Sequence, residues 1–443
     1  MNKQFDVIVA GMGIVGMAHA YTAARKGMRV LVVDTDPQAS GASVRNFGFI
    51  TLTGQEEGKP WQYARRSVDI WRSVARQASI QIDQTGACFV AKCKESSDLL
   101  EAYARSKSGE ACRILGKNEL QDMCAGNFSE EIEKALFSPH ELRVNPREAI
   151  PKMRQWLTHH LGVEFQTNTH VNRLGKGWVE TTQGTLHAER IYLCMGDRLR
   201  ELCPEVWQKR KLQICSLQML KLRPPGIRLP FPVLSDLSLI RYPGFAGMQE
   251  SRALSDVLER KFAVHLKHGI HLIIVQDQDG SLIIGDSHAY GDQALPFQNE
   301  QVDKLLLSTF RELLPGVETE VCERWMGSYV CAEDGIAFSE EINEGVYAAG
   351  FADSQEAYSE AVIALFEALD AIEGRLSKSE FLVGDSLTEA DIRLFTTLAR
   401  FDGVYHGHFK CNLRRLIDYP ALWAYARRLY GIPDFAVTCD FEH

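Results

Sequence analysis

An α/β domain with a mostly antiparallel insert, followed by an all-α bundle, is the fold that the 443-residue sequence predicts. Three observations carry it. A strand, a glycine turn, a helix and a second strand open the chain from FDVIVAGMGIVG onward. Strand-length apolar runs separated by turn residues recur between 217 and 288. Helical spacing of apolar residues then takes over from Tyr358 to the end of the chain.

Composition narrows the function. Apolar residues make up 45%, enough to bury a core, yet no stretch of about 20 residues is apolar throughout. The net charge of -9 argues against nucleic acid as the main partner. From Asn343 onward there are 16 acids and 9 Lys plus Arg, so most of the excess lies in the last quarter and a boundary is expected near residue 342. Eleven cysteines are scattered from Cys88 to Cys439 without a C-x-x-C pair, which reads as reduced thiols rather than a disulfide framework or zinc site. With MNKQFDVIVAGMG running straight into a strand, a cytoplasmic location is expected.

The first unit is specific in its physics. Phe5–Ala10 reads as a buried strand, and a helix is expected over Ile14–Lys26 with Gly27 just past its end. Arg29–Val33 is a second strand ending at Asp34. In the turn between them, Gly11 permits a tight bend, Gly13 lets a pyrophosphate approach the backbone, and Gly16 lets the helix lie close on the sheet. The helix N-terminus points N–H groups at phosphate, and Asp34 can accept hydrogen bonds from a ribose. The turn indicates a dinucleotide and leaves NAD and FAD open.

The next segment, SGASVRNFGF (40–49), makes the choice by resemblance. With ELRVNPREAIPKMRQWL (141–157), GVEFQTNTHV (162–171), the hairpin turning at Gln183-Gly184 and IYLCMGD (191–197), it resembles the D-amino-acid-oxidase-like family of FAD-dependent oxidoreductases over residues 4–340. The resemblance implies an FAD-binding Rossmann-like domain of about 1–50, 141–200 and 326–350. The substrate domain would cover about 51–140 and 201–325, with a mostly antiparallel sheet over the flavin. It also implies that Ser43, Arg45, Asn46 and Gly48 lie along the FAD, that the Val171 backbone faces the adenine, and that Gly196 ends the last cofactor strand. A surface arginine in a turn is the alternative for Arg45.

GDSHAYGDQALPF (285–297) resembles a subgroup associated with aminophosphonate breakdown, so an amine bearing a phosphonate becomes a candidate substrate. The implied chemistry is hydride transfer from the carbon beside an amine, with the amine kept neutral and the substrate's anion neutralised. Arg324, Tyr329 and His288 are the candidate substrate-binding residues. An ion pair with a nearby acid, a core position and a turn cap are their respective alternatives. His265, His268 and His271 lack the i, i+4 spacing of a helical metal pair and an acid cluster to join them, so they read as structural. No catalytic residue is identified.

In relatives the W-x-G segment leads to a strand, a glycine-rich loop and a last helix around the flavin. Here GVYAAGF (345–351) is the expected strand, and the following ADSQEAYSEA holds no glycine, leaving Gly350 as the one cofactor contact there. Tyr358, Val362, Leu365, Leu369, Ile372 and Leu376 form one helical stripe. Thr388 and Asp391 mark a second helix start, with Leu387 and Ile392 as a hydrophobic staple, and a third helix starts near Pro420. LVGDSLTEADIRLFTTLARFD, VYHGHFKCN and DYPALWAY resemble the helical C-terminal domain of glutathionyl-hydroquinone reductases, the Xi class of glutathione transferases, over 343–443. Tyr405 maps to a quinone-pocket tyrosine. The C-P-W nucleophile of that family occurs nowhere in this sequence, so its transferase reaction is not expected. Three readings follow: an FAD-dependent amine oxidase with a helical tail, a reductase of the second family, or a chimera whose flavin site does not close. In the third, the apolar stripe would be left exposed and drive self-association.

Overall fold

The computed structural model describes residues 5–175, 177–209, 211–332, 345–352, 354–383 and 386–439. The chain divides into two compact units, 1–332 and 333–443. The junction expected near 342 lies outside the described residues.

In the first unit, Phe5–Ala10 is the centre of a six-stranded sheet. It pairs in parallel with Val30–Val33 on one side and Gly184–Leu193 on the other. Glu164–Gln166 adds a parallel strand beyond Val30–Val33. Trp178–Thr181 and Val171–Gly175 complete the sheet in antiparallel fashion. All four residues of Val30–Val33 are buried, as expected for a parallel strand covered on both faces. The helices Ile14–Arg25 and Pro146–Leu161 cover one face through Met17, Ala20, Met153 and Leu157. The second helix starts where Asn145 accepts from the Arg147 N–H and Pro146 takes the first helical position, and it ends at left-handed Gly162.

The second sheet has ten strands along two branches. Gln213–Leu222, Ile273–Gln276 and Leu282–Gly285 are antiparallel neighbours, and Gly280 (φ 85°) makes the expected turn between the last two. Ile82–Ala91 and Lys134–Val144 form its other half. The sheets divide the chain differently from the expected domain limits, and Phe49–Ile50 and residues 141–144 also pair in this second sheet. Residues 326–331 do not join the cofactor sheet; they belong to the strand Val321–Cys331, which pairs along Gln213–Leu222. Ten of its residues find partners along Gln213–Leu222. The helix Glu300–Leu313 seals the far face through Leu306, Phe310 and Leu313.

One ionic cluster ties this unit together. Arg143 is fully buried and ion-pairs with Asp83 and Asp277. Its Nε donates to the Phe47 carbonyl at 3.1 Å, and Nη1 reaches the Gln276 carbonyl at 3.3 Å. Lys221 Nζ adds a second cation, 3.0 Å from Asp277.

In the second unit, Gln355–Leu376 is one helix capped by Ser354, whose hydroxyl accepts from Ala357 N at 3.1 Å. Glu389–Arg400 starts with the expected capping box of Thr388 and Asp391, and Pro420–Tyr430 supplies the third helix. Asp391 is fully buried and accepts from Leu382 N, Thr388 N and the Tyr425 hydroxyl. Leu387 and Ile392 are both exposed, so the expected staple faces solvent. Two further expectations are corrected. The stripe of Val362, Leu365, Leu369 and Ile372 is buried among the unit's own helices, against Leu394, Leu398 and Leu422. Residues 345–350 are helical, not a strand, because Val346 and Ala349 bury one helical face in the same core. Gly350 has no room for a Cβ, which would lie 2.3 Å from the Phe409 ring. Among the described residues no helix is long and apolar enough to cross a membrane.

Arg143→Ala would leave the buried Asp83 without its cation and Asp277 with Lys221 alone. It is expected to cost about 3–5 kcal/mol in denaturant unfolding of the first unit. A loss below about 1 kcal/mol would show that the cluster is not a structural centre.

Candidate active site

The glycine turn is built as its residues dictate. Gly11 sits at φ 111°, and a Cβ on it would lie 2.2 Å from the Cys194 carbonyl oxygen. A Cβ on Gly16 would lie 1.9 Å from the Gly11 carbonyl oxygen, so the helix approaches the strand as closely as backbone allows. Ser43 faces the start of the helix, its Oγ accepting from Ile14 N at 2.9 Å, and Gly13 keeps the gap between them open. Asp34 turns back onto the same loop: Oδ2 accepts from Met12 N at 2.7 Å, and Oδ1 from Asp36 N at 2.9 Å. Uncrowded first-turn N–H groups, a hydroxyl opposite them and a carboxylate at the second strand's end fit a dinucleotide's pyrophosphate and ribose.

The other residues assigned to the cofactor fall in distinct places. Asn46 closes a local turn, Nδ2 donating to the Ala42 carbonyl and Oδ1 accepting from Gly48 N. Gly48 is left-handed and pressed against the Val144 carbonyl. Val171 is buried and packs with Ile8, Leu31 and Val33. Gly196 is left-handed (φ 61°), with open space where a Cβ would be. Arg45 accepts from Trp325 Nε1 through its carbonyl, and it lines a cavity of about 800 Å³ with Arg147, Arg324 and Trp325. Gly350 and Tyr405 lie in the second unit. Tyr405 is buried, its hydroxyl 3.1 Å from that of Tyr347, within a group of rings that includes Phe351 and Phe409.

The three candidate substrate-binding residues are not brought together. Arg324 is on the 800 Å³ cavity and pairs with Asp303 at 2.8 Å. His288 and Tyr329 line a second cavity, of about 660 Å³, with Phe47, Phe49, Arg241, Tyr242, His271, Asp286 and Tyr290. Arg241 is the cation on this wall, donating to the Tyr290 hydroxyl at 2.6 Å. It sits in LIRYPG, where no motif announced it.

The reading of His271 as free of acidic company is corrected. Its Nε2 lies 3.0 Å from Asp286 Oδ1, with both side chains buried. The hairpin explains this: beyond the pairing of Ile273 with Gly285 the register shifts by one residue, and His271 and Asp286 exchange backbone hydrogen bonds of 3.3 and 3.2 Å. His288 stacks on His271 with ring centroids 5.0 Å apart, its Nδ1 2.9 Å from the Gly269 carbonyl. Asp286 stood in the sequence two residues before His288, in GDSH, and was the one available signal.

The electrostatics follow from burial. Burial opposes the charge on Asp286, but His271, then His288 and Arg241, outweigh it and hold its pKa below the ordinary carboxylate value. Burial pushes the His288 imidazole down to about 4, against the pull of Asp286. It also raises the Tyr242 and Tyr329 hydroxyls, which therefore stay protonated.

This combination of a dinucleotide turn and a polar cavity under an antiparallel sheet fits a dinucleotide-dependent oxidoreductase. Comparison with known proteins agrees. Residues 6–354 match the FAD dependent oxidoreductase family (DAO), and the chain belongs to it; its cofactor is FAD. Residues 355–428 match the glutathione S-transferase C-terminal domain, so the chain joins two families. Monomeric sarcosine oxidase from Bacillus sp. (strain B-0618) is 24% identical over 79% of this chain and 88% of its own. Glycine oxidase from Geobacillus kaustophilus superposes with a TM-score of 0.60 at 20% identity, over 75% of this chain and 84% of that one. The glutathionyl-hydroquinone reductase PcpF of Sphingobium chlorophenolicum is 56% identical over 104 residues, 24% of this chain. The chain spans only 33% of that reductase's length.

Two outcomes are expected. Gly11→Val should yield protein without the visible flavin bands, since its side chain collides with Cys194; retained flavin would contradict the cradle. The second concerns acid stability. His288 stays neutral in the fold to about pH 4, whereas it titrates near 6.5 when unfolded. Above pH 6.5 it contributes no pH dependence. Between 6.5 and 4 the unfolded chain takes up a proton that the fold does not, so stability falls with pH, by a total on the order of 3 kcal/mol. His288→Phe should remove that part of the acid sensitivity in unfolding curves from pH 7 to 4.

Proposed function

We propose that the protein oxidises an amine that also carries an acidic group, at the carbon next to nitrogen. The observation that carries this is the 660 Å³ cavity, which sets the Arg241 guanidinium on a wall shared with the buried His271, Asp286 and His288. A cation suits the substrate's anion, and the histidine–carboxylate group suits its amine. When bound, FAD supplies the hydride acceptor. Gly11, Gly13, Gly16, Ser43 and Asp34 would hold it at the helix start. Phe47, Phe49, Ile240 and Tyr242 line the cavity with apolar surface that excludes water from the reacting carbon. Tyr329 offers a protonated hydroxyl to the same space. Arg324, occupied by Asp303 on the other cavity, has no part in this reading.

An aminophosphonate is the narrower substrate. The string 285–297, which resembles the aminophosphonate-associated subgroup, supports it, because that string supplies Asp286, His288 and Tyr290 to the cavity. The relatives that act on sarcosine and glycine support the carboxylate alternative. Anaerobic mixing of the FAD-loaded protein with glycine, sarcosine, proline and aminomethylphosphonate decides between them by which one bleaches the flavin bands. Bleaching by none would sink the oxidase reading. A cytoplasmic location belongs to the same reading and is supported by eleven free cysteines.

A second reading, weakened FAD retention, is favoured by one observation: residues 345–350 are a helix in the second unit's core rather than a strand leading to a flavin loop. Loss of the flavin bands on desalting would support it. Arg241→Met is expected to raise KM for the oxidised amine about ten- to a hundredfold, with a smaller change in kcat. Steady-state kinetics check this, and an unchanged KM would remove Arg241 from the site.

A further inference from the structure

We propose that His288 recognises the substrate's amine, its Nε2 accepting a hydrogen bond from a substrate N–H; this rests on the amine-oxidase reading above. A substrate-binding histidine can serve either the acid or the amine of its ligand. The structure assigns His288 the amine.

His288 Nδ1 lies 2.9 Å from the carbonyl oxygen of Gly269. A carbonyl can only accept, so Nδ1 carries the hydrogen. In a neutral ring the remaining nitrogen, Nε2, is then a bare acceptor. The ring does stay neutral at working pH, because burial outweighs the attraction of Asp286. Every charged or titratable neighbour is compatible with this state. Asp286 Oδ1 is 3.8 Å from Nδ1 and is already engaged by His271 Nε2. The His271 ring stacks on one side, and Tyr290 lies with its ring 6.5 Å away. Arg241, whose charge opposes protonation of His288, is bonded to the Tyr290 hydroxyl.

A neutral acceptor cannot neutralise a carboxylate or phosphonate; it repels their lone pairs. It does match an amine N–H. Arg241 and His288 therefore divide the substrate between them, the guanidinium taking the acid and the imidazole the nitrogen. The nitrogen's orientation fixes which C–H bond of the neighbouring carbon is presented. Gly269 becomes the positioning residue. It is left-handed (φ 59°), and a Cβ on it would lie 2.8 Å from both His288 Cβ and the His288 carbonyl oxygen. Only glycine leaves its carbonyl free to set the tautomer.

The test uses the full chain and has two parts. Long-range ¹H–¹⁵N spectra at pH 7 should show His288 with a protonated Nδ1 and a bare Nε2; the reverse tautomer, or an imidazolium, overturns the proposal. His288→Phe should weaken glycine binding about ten- to a hundredfold by calorimetry while acetate, which lacks the amine, binds within about threefold of the parent. His288→Gln should recover part of the glycine affinity, since its amide oxygen can accept. Equal losses for glycine and acetate in both variants would mean general damage to the cavity and would overturn the assignment. Failure of the parent protein to bleach its flavin with any amine would sink the oxidase reading alone. The tautomer and the glycine–acetate difference are read without turnover.

Discussion

The buried pairing of Arg143 with Asp83 and Asp277 is the interaction on which the catalytic unit depends. It joins the strand Lys134–Val144 to Ile82–Ala91 and to the end of Ile273–Gln276, and its Nε–H holds the Phe47 carbonyl. Phe47 belongs to the loop that continues from Ser43, the residue facing the glycine turn. Asp277 begins the hairpin whose return strand leads to Asp286 and His288. One guanidinium thus locks the loop facing the glycine turn to the sheet that lines the 660 Å³ cavity. Desolvating such a group is costly, and the cost is offset only because two carboxylates and two carbonyls surround it.

The cavity follows the same rule with a different outcome. At Arg143 every charge has a partner inside the protein. At the cavity, Arg241 is bonded to a neutral tyrosine, and one buried histidine is forced neutral beside an aspartate that stays charged. This leaves a cation and an acceptor for a ligand to satisfy, the pattern expected where environments push neighbouring groups apart.

The second unit shows how an ambiguous apolar run is settled by its neighbours. GVYAAGF is apolar enough for a strand and has the small residues of a tight helix. It folds as a helix because Val346 and Ala349 meet Leu365 and its neighbours, while Gly350 lies flat on Phe409. The long apolar stripe that follows is satisfied within the unit, so its length reflects a bundle core and not an interface left open.

The sequence by itself determined the glycine turn, the flanking strands and helices, the hairpin at Asp279-Gly280, the capping box at Thr388 and the two-family composition. These depend on local physics: the glycines at 11, 13 and 16, the period of apolar residues, and caps a few residues from what they cap. Only the tertiary structure decided which polar side chains share a cavity. Arg241, His271 and Asp286 come from separate loops and a hairpin register, and no local pattern encodes that meeting. The acid that pairs with Arg324 at 2.8 Å, Asp303, lies 21 residues away. The surroundings of His288 and the helix at 345–350 were likewise set by neighbours distant in sequence, because burial and hydrogen-bond partners, not residue type, choose a tautomer or settle an ambiguous apolar run.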